Sequence, residues 1–474
     1  MGRRVGKKKP PHRCQLFPRG CGWAIVWKNK RFMMSNFYQK RSHIIALCAV
    51  ILLGGCLGMG GKEEPKLQGP RLDVTLQPTV LQASKGALAE AFRIPAAQPL
   101  DNWGQTAANS AHTPGHVALP AKVVRAWSAK VGGSGKGGLL NPPVVHSGRI
   151  FVQNGKGEIV ALDAKTGKEL WDVRLPLVEA EQASLAGGLA VIGNLLLATT
   201  ADGQVFALTA SSGKQVWTTN LAVPIRAAPT VEGERVYVTS HDNRLFVLNA
   251  LDGALLWTHS GMEETLSLLA GSSPAAANGL VAVPYSSGEV YVLRSSDGRY
   301  AWHDTLASPF SGQDPESTLT AITAPPVIAD GLLYAVGLNG GLSAYALTTG
   351  QRFWKADIVT SQLPIVVGYQ IFILTDNGEL VGMNRTDGSV RWVNNLNADM
   401  PEQDGTRTWA GPVLAGGRLI TVSSDGLAVS VDPQTGKRIA ATDLDEPVSL
   451  APIVAGGSLY FLTDGGRLIA FRGE

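Results

Sequence analysis

Eight histidines, four cysteines and eleven tryptophans are the side chains of this 474-residue sequence with the most chemistry to offer, and their spacing decides what each can do. His112 and His116 stand with three residues between them, a spacing that two ligands of one metal can share. No cysteine or third ligand accompanies them, so a solvated loop is expected there rather than a metal site. His241, His259 and His303 fall in turns or on outer strands, and the sequence contains no HExxH, no GxSxG and no closely spaced cysteine pair of the kind that holds zinc. The run Gly132-Gly133-Ser134-Gly135-Lys136-Gly137-Gly138 has the lysine of a phosphate loop. It lacks the following Ser or Thr and the helix that would present backbone N–H groups, and reads as a flexible connection. No catalytic, cofactor-binding or metal-binding residue is expected from these patterns.

One cysteine stands differently. Lys40-Arg41 precede an apolar run from Ile44 to Leu53, which ends in Leu53-Gly54-Gly55-Cys56. A charged stretch, a short apolar stretch and small residues before a cut site describe an export signal, and ten apolar residues are too few to span a bilayer. With cysteine at the cut position the signal resembles a bacterial lipobox, which implies cleavage before Cys56 and lipidation of that residue. Residues 1–55 are therefore expected to be a leader, with the true translation start at Met33 or Met34. Cys14, Cys21 and Cys48 are lost with it, so the processed chain has no cysteine pair and must be held by packing alone.

The tryptophans organise the remainder. Gly167, Gly213, Gly253, Gly298, Gly350, Gly388 and Gly436 recur at intervals of 46, 40, 45, 52, 38 and 48 residues. Four positions after each stand Trp171, Trp217, Trp257, Trp302, Trp354, Trp392 and Ala440. This is the period of a four-stranded propeller blade. Within a unit, Arg149 to Val152 and Glu158 to Leu162 are short β-prone runs separated by glycines, and Thr166-Gly167 turns the chain into a last strand that carries the tryptophan. The stretch from Pro452 to Phe471 supplies three strands and then stops. An isolated strand around Trp127 precedes the first unit, so the N-terminal strand is expected to complete the last blade. The expectation is an all-β fold: an eight-bladed β-propeller over 101–474, of four-stranded antiparallel blades, with Trp127, Trp171, Trp217, Trp257, Trp302, Trp354 and Trp392 packed between blades. Residues 56–100, rich in Gly and Pro, are expected to be a tether, with a short helix near Gln82 to Phe92.

Twelve of the 42 Lys and Arg residues lie in the first 56 positions, where there is no Asp or Glu. The rest holds 30 basic against 38 acidic residues, a net of −8. That balance removes the basic footprint of a nucleic-acid-binding protein.

The pattern Ala161-Leu162-Asp163-Ala164-Lys165-Thr166-Gly167-Lys168-Glu169-Leu170-Trp171 resembles the repeats of the pyrroloquinoline-quinone propeller superfamily. That superfamily includes quinoprotein dehydrogenases, which typically carry a vicinal disulfide against the cofactor; the processed chain has none, and a quinoprotein oxidoreductase or a ligand-binding envelope propeller stays as an alternative. From the lipobox to Phe471 the chain is most similar to the BamB family of outer-membrane lipoproteins of the β-barrel assembly machinery. The resemblance rests on Thr265 to Pro274 (TLSLLAGSSP) and on Ala324-Pro325-Pro326-Val327 through Leu338-Asn339-Gly340 to Trp354. It implies a non-catalytic scaffold without a cofactor, on the periplasmic face of the outer membrane, lipid-anchored through Cys56. It further implies contact with a POTRA domain of the central barrel subunit, BamA, through Leu266, Leu268, Leu269 and Leu319, and service to unfolded outer-membrane proteins. The family pattern has an arginine at Leu269 and acidic residues at Ala321 and Thr323, so the contact implied here is less charged. Leu57 after the lipidated cysteine resembles the signal for outer-membrane sorting.

Overall fold

The computed structural model describes residues 81–84, 92–133, 141–176, 186–225, 227–263, 271–306, 321–338, 340–398, 400 and 406–474. Each repeat folds as a four-stranded antiparallel sheet because its apolar runs are short, and each is followed by a turn that tolerates positive φ. Blade 1 shows the plan: Val144–His146, Arg149–Gln153, Glu158–Asp163 and Glu169–Arg174 lie side by side in chain order. The third-to-fourth turn is held by Asp163, whose carboxylate accepts from the N–H of Lys165 and Thr166 (3.1 and 2.7 Å) and from the Thr166 hydroxyl (2.7 Å). The Thr166 hydroxyl is the main reason that this carboxyl sits below its ordinary value. Blades 2 to 7 span 186–220, 230–260, 275–305, 327–356, 365–395 and 409–443. Blade 8 is composite. Ile453–Ala455, Ser458–Leu462 and Arg467–Gly473 come from the C-terminus, and Val123–Lys130 pairs antiparallel with the last of them as its outer strand. That pairing seals the ring, so no blade offers a spare sheet edge at the junction.

In all eight blades the outer strand carries a bulge at one place, directly before the tryptophan or, in blade 7, before Ala440. The ring of each tryptophan then lies over the next blade. A side chain at Gly167, Gly213, Gly253, Gly298, Gly350, Gly388 or Gly436 would place its first carbon 2.5–2.7 Å from the indole of Trp127, Trp171, Trp217, Trp257, Trp302, Trp354 or Trp392 respectively. The turn glycine is thus also the seat of its neighbour's tryptophan. Six of the indoles donate to a carbonyl three residues before that glycine, as in Trp302 Nε1 to Leu347 O at 2.7 Å. Ala440 has a simple reason. The next blade is the composite one, whose third and fourth strands come from opposite ends of the chain, so no turn glycine exists to receive a ring.

Residues 92–119 form the feature that the sequence conceals. They cross the mouth of the ring on the side of the first-to-second turns and touch every blade. Trp103 exchanges two backbone hydrogen bonds with Val145 (2.8 Å each), and Gly104 O accepts from Val191 N. Gln105 pairs through its amide with both backbone groups of Val231. Ser110 O, Ala111 O and Leu100 O accept from Ala276, Ile328 and Gly456, Val117 bonds Leu414 and Gly416, and Phe92 and Pro95 lie against Phe372 and Gly368 of blade 6. The inner strands offer unpaired backbone groups towards the axis, and this plug satisfies them. Residues 92–100 are therefore not free tether: Ile94 and Leu100 pack on the ring. The helix expected near Gln82 to Phe92 lies mostly outside the described residues.

The solvated loop expected around His112 and His116 is also corrected. His112 is buried in the plug, with Nδ1 2.7 Å from Pro326 O, and a carbonyl can only accept, so Nδ1 carries the proton. His116 bridges Pro95 O (2.7 Å) and the N–H of Gly417 (2.8 Å). Burial lowers His112 to about 4 from the usual 6.5. The folded ring thus refuses a proton that the unfolded chain accepts, and stability is lost as pH falls from 6.5 towards 4, by about 3 kcal/mol at the limit. His146 and His259, also lowered by burial, add in the same direction. Urea midpoints followed from pH 7 to pH 4.5 should fall for the wild type and fall less for His112→Gln.

Candidate docking face

Antiparallel order fixes which loops share a side. First-to-second and third-to-fourth turns lie on the plug side; second-to-third turns and the connections between blades lie on the other. The plug fills the first side, and Ser84 N, which donates to Val390 O at the start of the outer strand of blade 6, brings the N-terminal segment in there too. The opposite side presents the connections at 261–274 and 306–326, between blades 3 and 4 and between blades 4 and 5.

Leu266, Leu268, Leu269 and Leu319 belong to these two connections and lie outside the described residues, as does Cys56. Their flanks are described. Met262, 62% exposed, donates its N–H to Glu289 Oε2 (3.2 Å), and its carbonyl accepts from Asn243 Nδ2 (2.9 Å). Ala321 and Ile322 are buried, tied to Leu338 N and Tyr285 O through their backbones. Ala321 is therefore part of the wall and not a free contact.

Behind the first connection runs a ladder of rings that single-residue reasoning missed. His259 Nδ1 meets Tyr285 Oη at 2.8 Å, Tyr291 lies 4.7 Å from His259 and 4.8 Å from His303, and Tyr300 Oη reaches His303 Nδ1 at 2.9 Å. Glu289 closes it, accepting from Tyr291 Oη and Ser287 Oγ. Glu289 and Tyr291 are two apart on the third strand of blade 4, His303 pairs with Tyr291 from the outer strand of that blade, and His259 comes from the outer strand of blade 3, a signal legible only once register is known. Burial raises Tyr285, whose hydroxyl stays protonated.

The second-to-third turns add an acidic rim. Asp202, Asp242, Asp376, Asp425 and Asp464 sit in them, and a Ser or Thr hydroxyl donates to each. Desolvation raises Asp242 and Asp425, but their bonds to Arg244 and Arg407 and to nearby serines outweigh it and leave both below the ordinary value. Among the described residues no group of three His, Cys, Asp or Glu side chains is placed to hold a metal.

The profile of the family described as outer membrane protein assembly factor BamB matches residues 122–182, 177–394 and 397–474. The outer membrane protein assembly factor BamB of Yersinia pestis is 29% identical over 360 residues, 74% of this chain and 88% of that protein. Among solved structures, BamB from Moraxella catarrhalis superposes with a TM-score of 0.63 at 19% identity, over 74% of this chain and all of that one. The quinohemoprotein alcohol dehydrogenase of Comamonas testosteroni superposes with a TM-score of 0.60 at 14% identity, over 79% and 81%. The two structural likenesses share the ring and its blade plan, and the sequence match separates them: this chain belongs to the family of the outer membrane protein assembly factor BamB.

Proposed function

We propose that the chain is a non-catalytic scaffold lipoprotein of the outer-membrane β-barrel assembly complex, anchored on the periplasmic face through lipid on Cys56. Its loop side docks on the POTRA region of the central barrel subunit through Leu266, Leu268, Leu269 and Leu319, and it helps present unfolded outer-membrane proteins. The observation that carries this reading is the division of labour between the two sides of the ring. The mouth on one side is filled by residues 92–119 of the chain itself, which is where the N-terminal segment enters. The other side keeps its inter-blade connections for a partner. From Cys56 to Leu81 there are 25 residues, about 85 Å of fully extended chain, enough for anchor and docking side to be engaged together. Outer strands carry exposed apolar residues such as Leu256 and Phe353, which suit added β-segments of unfolded clients.

Leu268→Asp tests the docking surface. The expected result is loss of the barrel subunit from pull-downs, at least about 30-fold in affinity for a central apolar contact, with an unchanged melting temperature. An unfolded variant would instead make Leu268 a core residue. Reduction of an artificial dye by the wild type, given pyrroloquinoline quinone, calcium and an alcohol, would favour an oxidoreductase.

A further inference from the structure

Blade 4 lies between the two connections of the docking side, and its second-to-third turn, Tyr285 to Glu289, is bonded to both. Towards the first connection, the buried carboxylate of Glu289 accepts the N–H of Met262 at Oε2 (3.2 Å). The ring of Tyr285 lies over Gly261, where an added side-chain carbon would come 2.5 Å from it. Towards the second connection, Tyr285 O accepts from Ile322 N (3.2 Å) and Gly288 O from Leu306 N (2.8 Å). One turn thus fixes the start of the first connection against both ends of the second. The turn is itself held. Glu289 also accepts from Ser287 Oγ and Tyr291 Oη (3.0 and 3.3 Å), and the hydroxyl of Tyr285 meets His259 Nδ1 from blade 3 at 2.8 Å. A buried hydroxyl gives its hydrogen to an acceptor in reach, so Nδ1 is the unprotonated nitrogen and Tyr285 is pinned from two blades.

We propose that Tyr285 and Glu289 are positioning residues of the docking surface: their turn is a clasp that sets the connection at 261–274 against the connection at 306–326, so that a partner meets both in one prearranged geometry. The proposal rests on the docking reading above and names what prepares that surface. Both side chains are buried, so they act through the connections rather than by touching the partner. Connections held before contact bind more tightly than connections that must be ordered on contact. The pin is sensitive to acid. His259 faces Tyr285, Tyr291 and Glu289 of blade 4, with His303 beyond Tyr291, and the adjoining strand of its own blade carries Arg244, paired with Asp242. Burial lowers His259 from the usual 6.5 by more than the Glu289 carboxylate raises it. The clasped arrangement therefore resists a proton at Nδ1, and uptake below pH 6.5 removes the acceptor of the Tyr285 hydroxyl and loosens the clasp.

The test titrates the full-length central barrel subunit, in detergent, onto the full processed chain, and follows amide exchange in the unbound chain. Gly261→Ala probes the ring contact alone, because Gly261 is not among the glycines of positive φ. It should weaken binding about tenfold, the scale of overpacking, and should speed exchange of the Ile322 N–H on the other connection. Glu289→Gln, which keeps the size and removes the charge, should also weaken binding about tenfold, the effect of one hydrogen bond to a charged group. Wild-type affinity should fall as pH drops below 6.5, and less steeply in Tyr285→Phe, which has no hydroxyl to release. Wild-type binding by Gly261→Ala and Glu289→Gln would overturn the proposal. So would weakened binding with Ile322 exchange unchanged, since each connection would then be held on its own. Equal pH slopes in the wild type and Tyr285→Phe would overturn the role given to His259. Leu268→Asp keeps the two readings apart: if it abolishes binding while Gly261→Ala and Glu289→Gln do not, docking stands and the clasp falls; if no variant has any effect, docking itself fails. Should Gly261→Ala fail to fold, Glu289→Gln decides.

Discussion

Gly253→Val should cost this ring about 4–6 kcal/mol, the largest loss expected from any single change considered. Two effects combine. Gly253 has a φ of +73°, where a β-branched side chain is strained by about 1–2 kcal/mol. Its first side-chain carbon would also sit 2.5 Å from the ring of Trp217 and 2.7 Å from Thr219 Oγ1. Trp217 is 8% exposed and donates to Ala250 O at 2.9 Å, so displacing it forfeits most of an indole's burial, about 4 kcal/mol at about 25 cal/mol/Å². Domains are stable by only about 5–15 kcal/mol. A melting temperature lower by about 10 °C, or insoluble protein, is the outcome to look for by calorimetry. Gly233→Val is the matched control: φ is +59° and nothing lies within 4 Å of the added carbon, so only the backbone strain of about 1–2 kcal/mol should appear.

Trp103→Ala should be nearly as damaging, for a different reason. Trp103 is 5% exposed at the centre of the plug and shares a core with Val117, Leu119 and Val145. Removing such a side chain costs about 3–5 kcal/mol. If the plug acts as one unit, the loss spreads. Hydrogen exchange should then speed up together at Val145, Val191, Val231, Ala276 and Ile328 on inner strands and at Gly456 in the turn after one, N–H groups that the plug satisfies. Faster exchange at Val145 alone would make the plug a set of independent contacts.

The blades were legible in the sequence because their determinants are local and repeated. A turn glycine, a tryptophan four residues on and β-prone runs between them fix strand order inside each unit, and the surplus strand around Trp127 matches the deficit after Phe471. What could not be read was the second duty of the glycines. Gly167 and its equivalents look like turn residues, and only the ring shows that each faces an indole from the blade before. Ala440 looked like a lapse in the pattern and is instead its consequence. The plug was hidden for the opposite reason. Residues 92–119 have no periodicity, and their polar, Pro- and Gly-containing composition is that of solvated loops, because their backbone bonds go to six distant blades rather than only to neighbours in sequence. His112 misled for the same reason: nothing local announces that the carbonyl of Pro326, 214 residues away, accepts its hydrogen bond.

Photo-crosslinking in intact envelopes, with probes placed in turn at Met262, Ser286 and Thr323 on the loop side and at Lys165, Asp252 and Asp387 on the plug side, followed by mass spectrometry, tests the docking account most directly. The account predicts that the central barrel subunit is captured from the first three positions and not from the last three. Capture confined to the plug side, or no barrel subunit from any position, would contradict it.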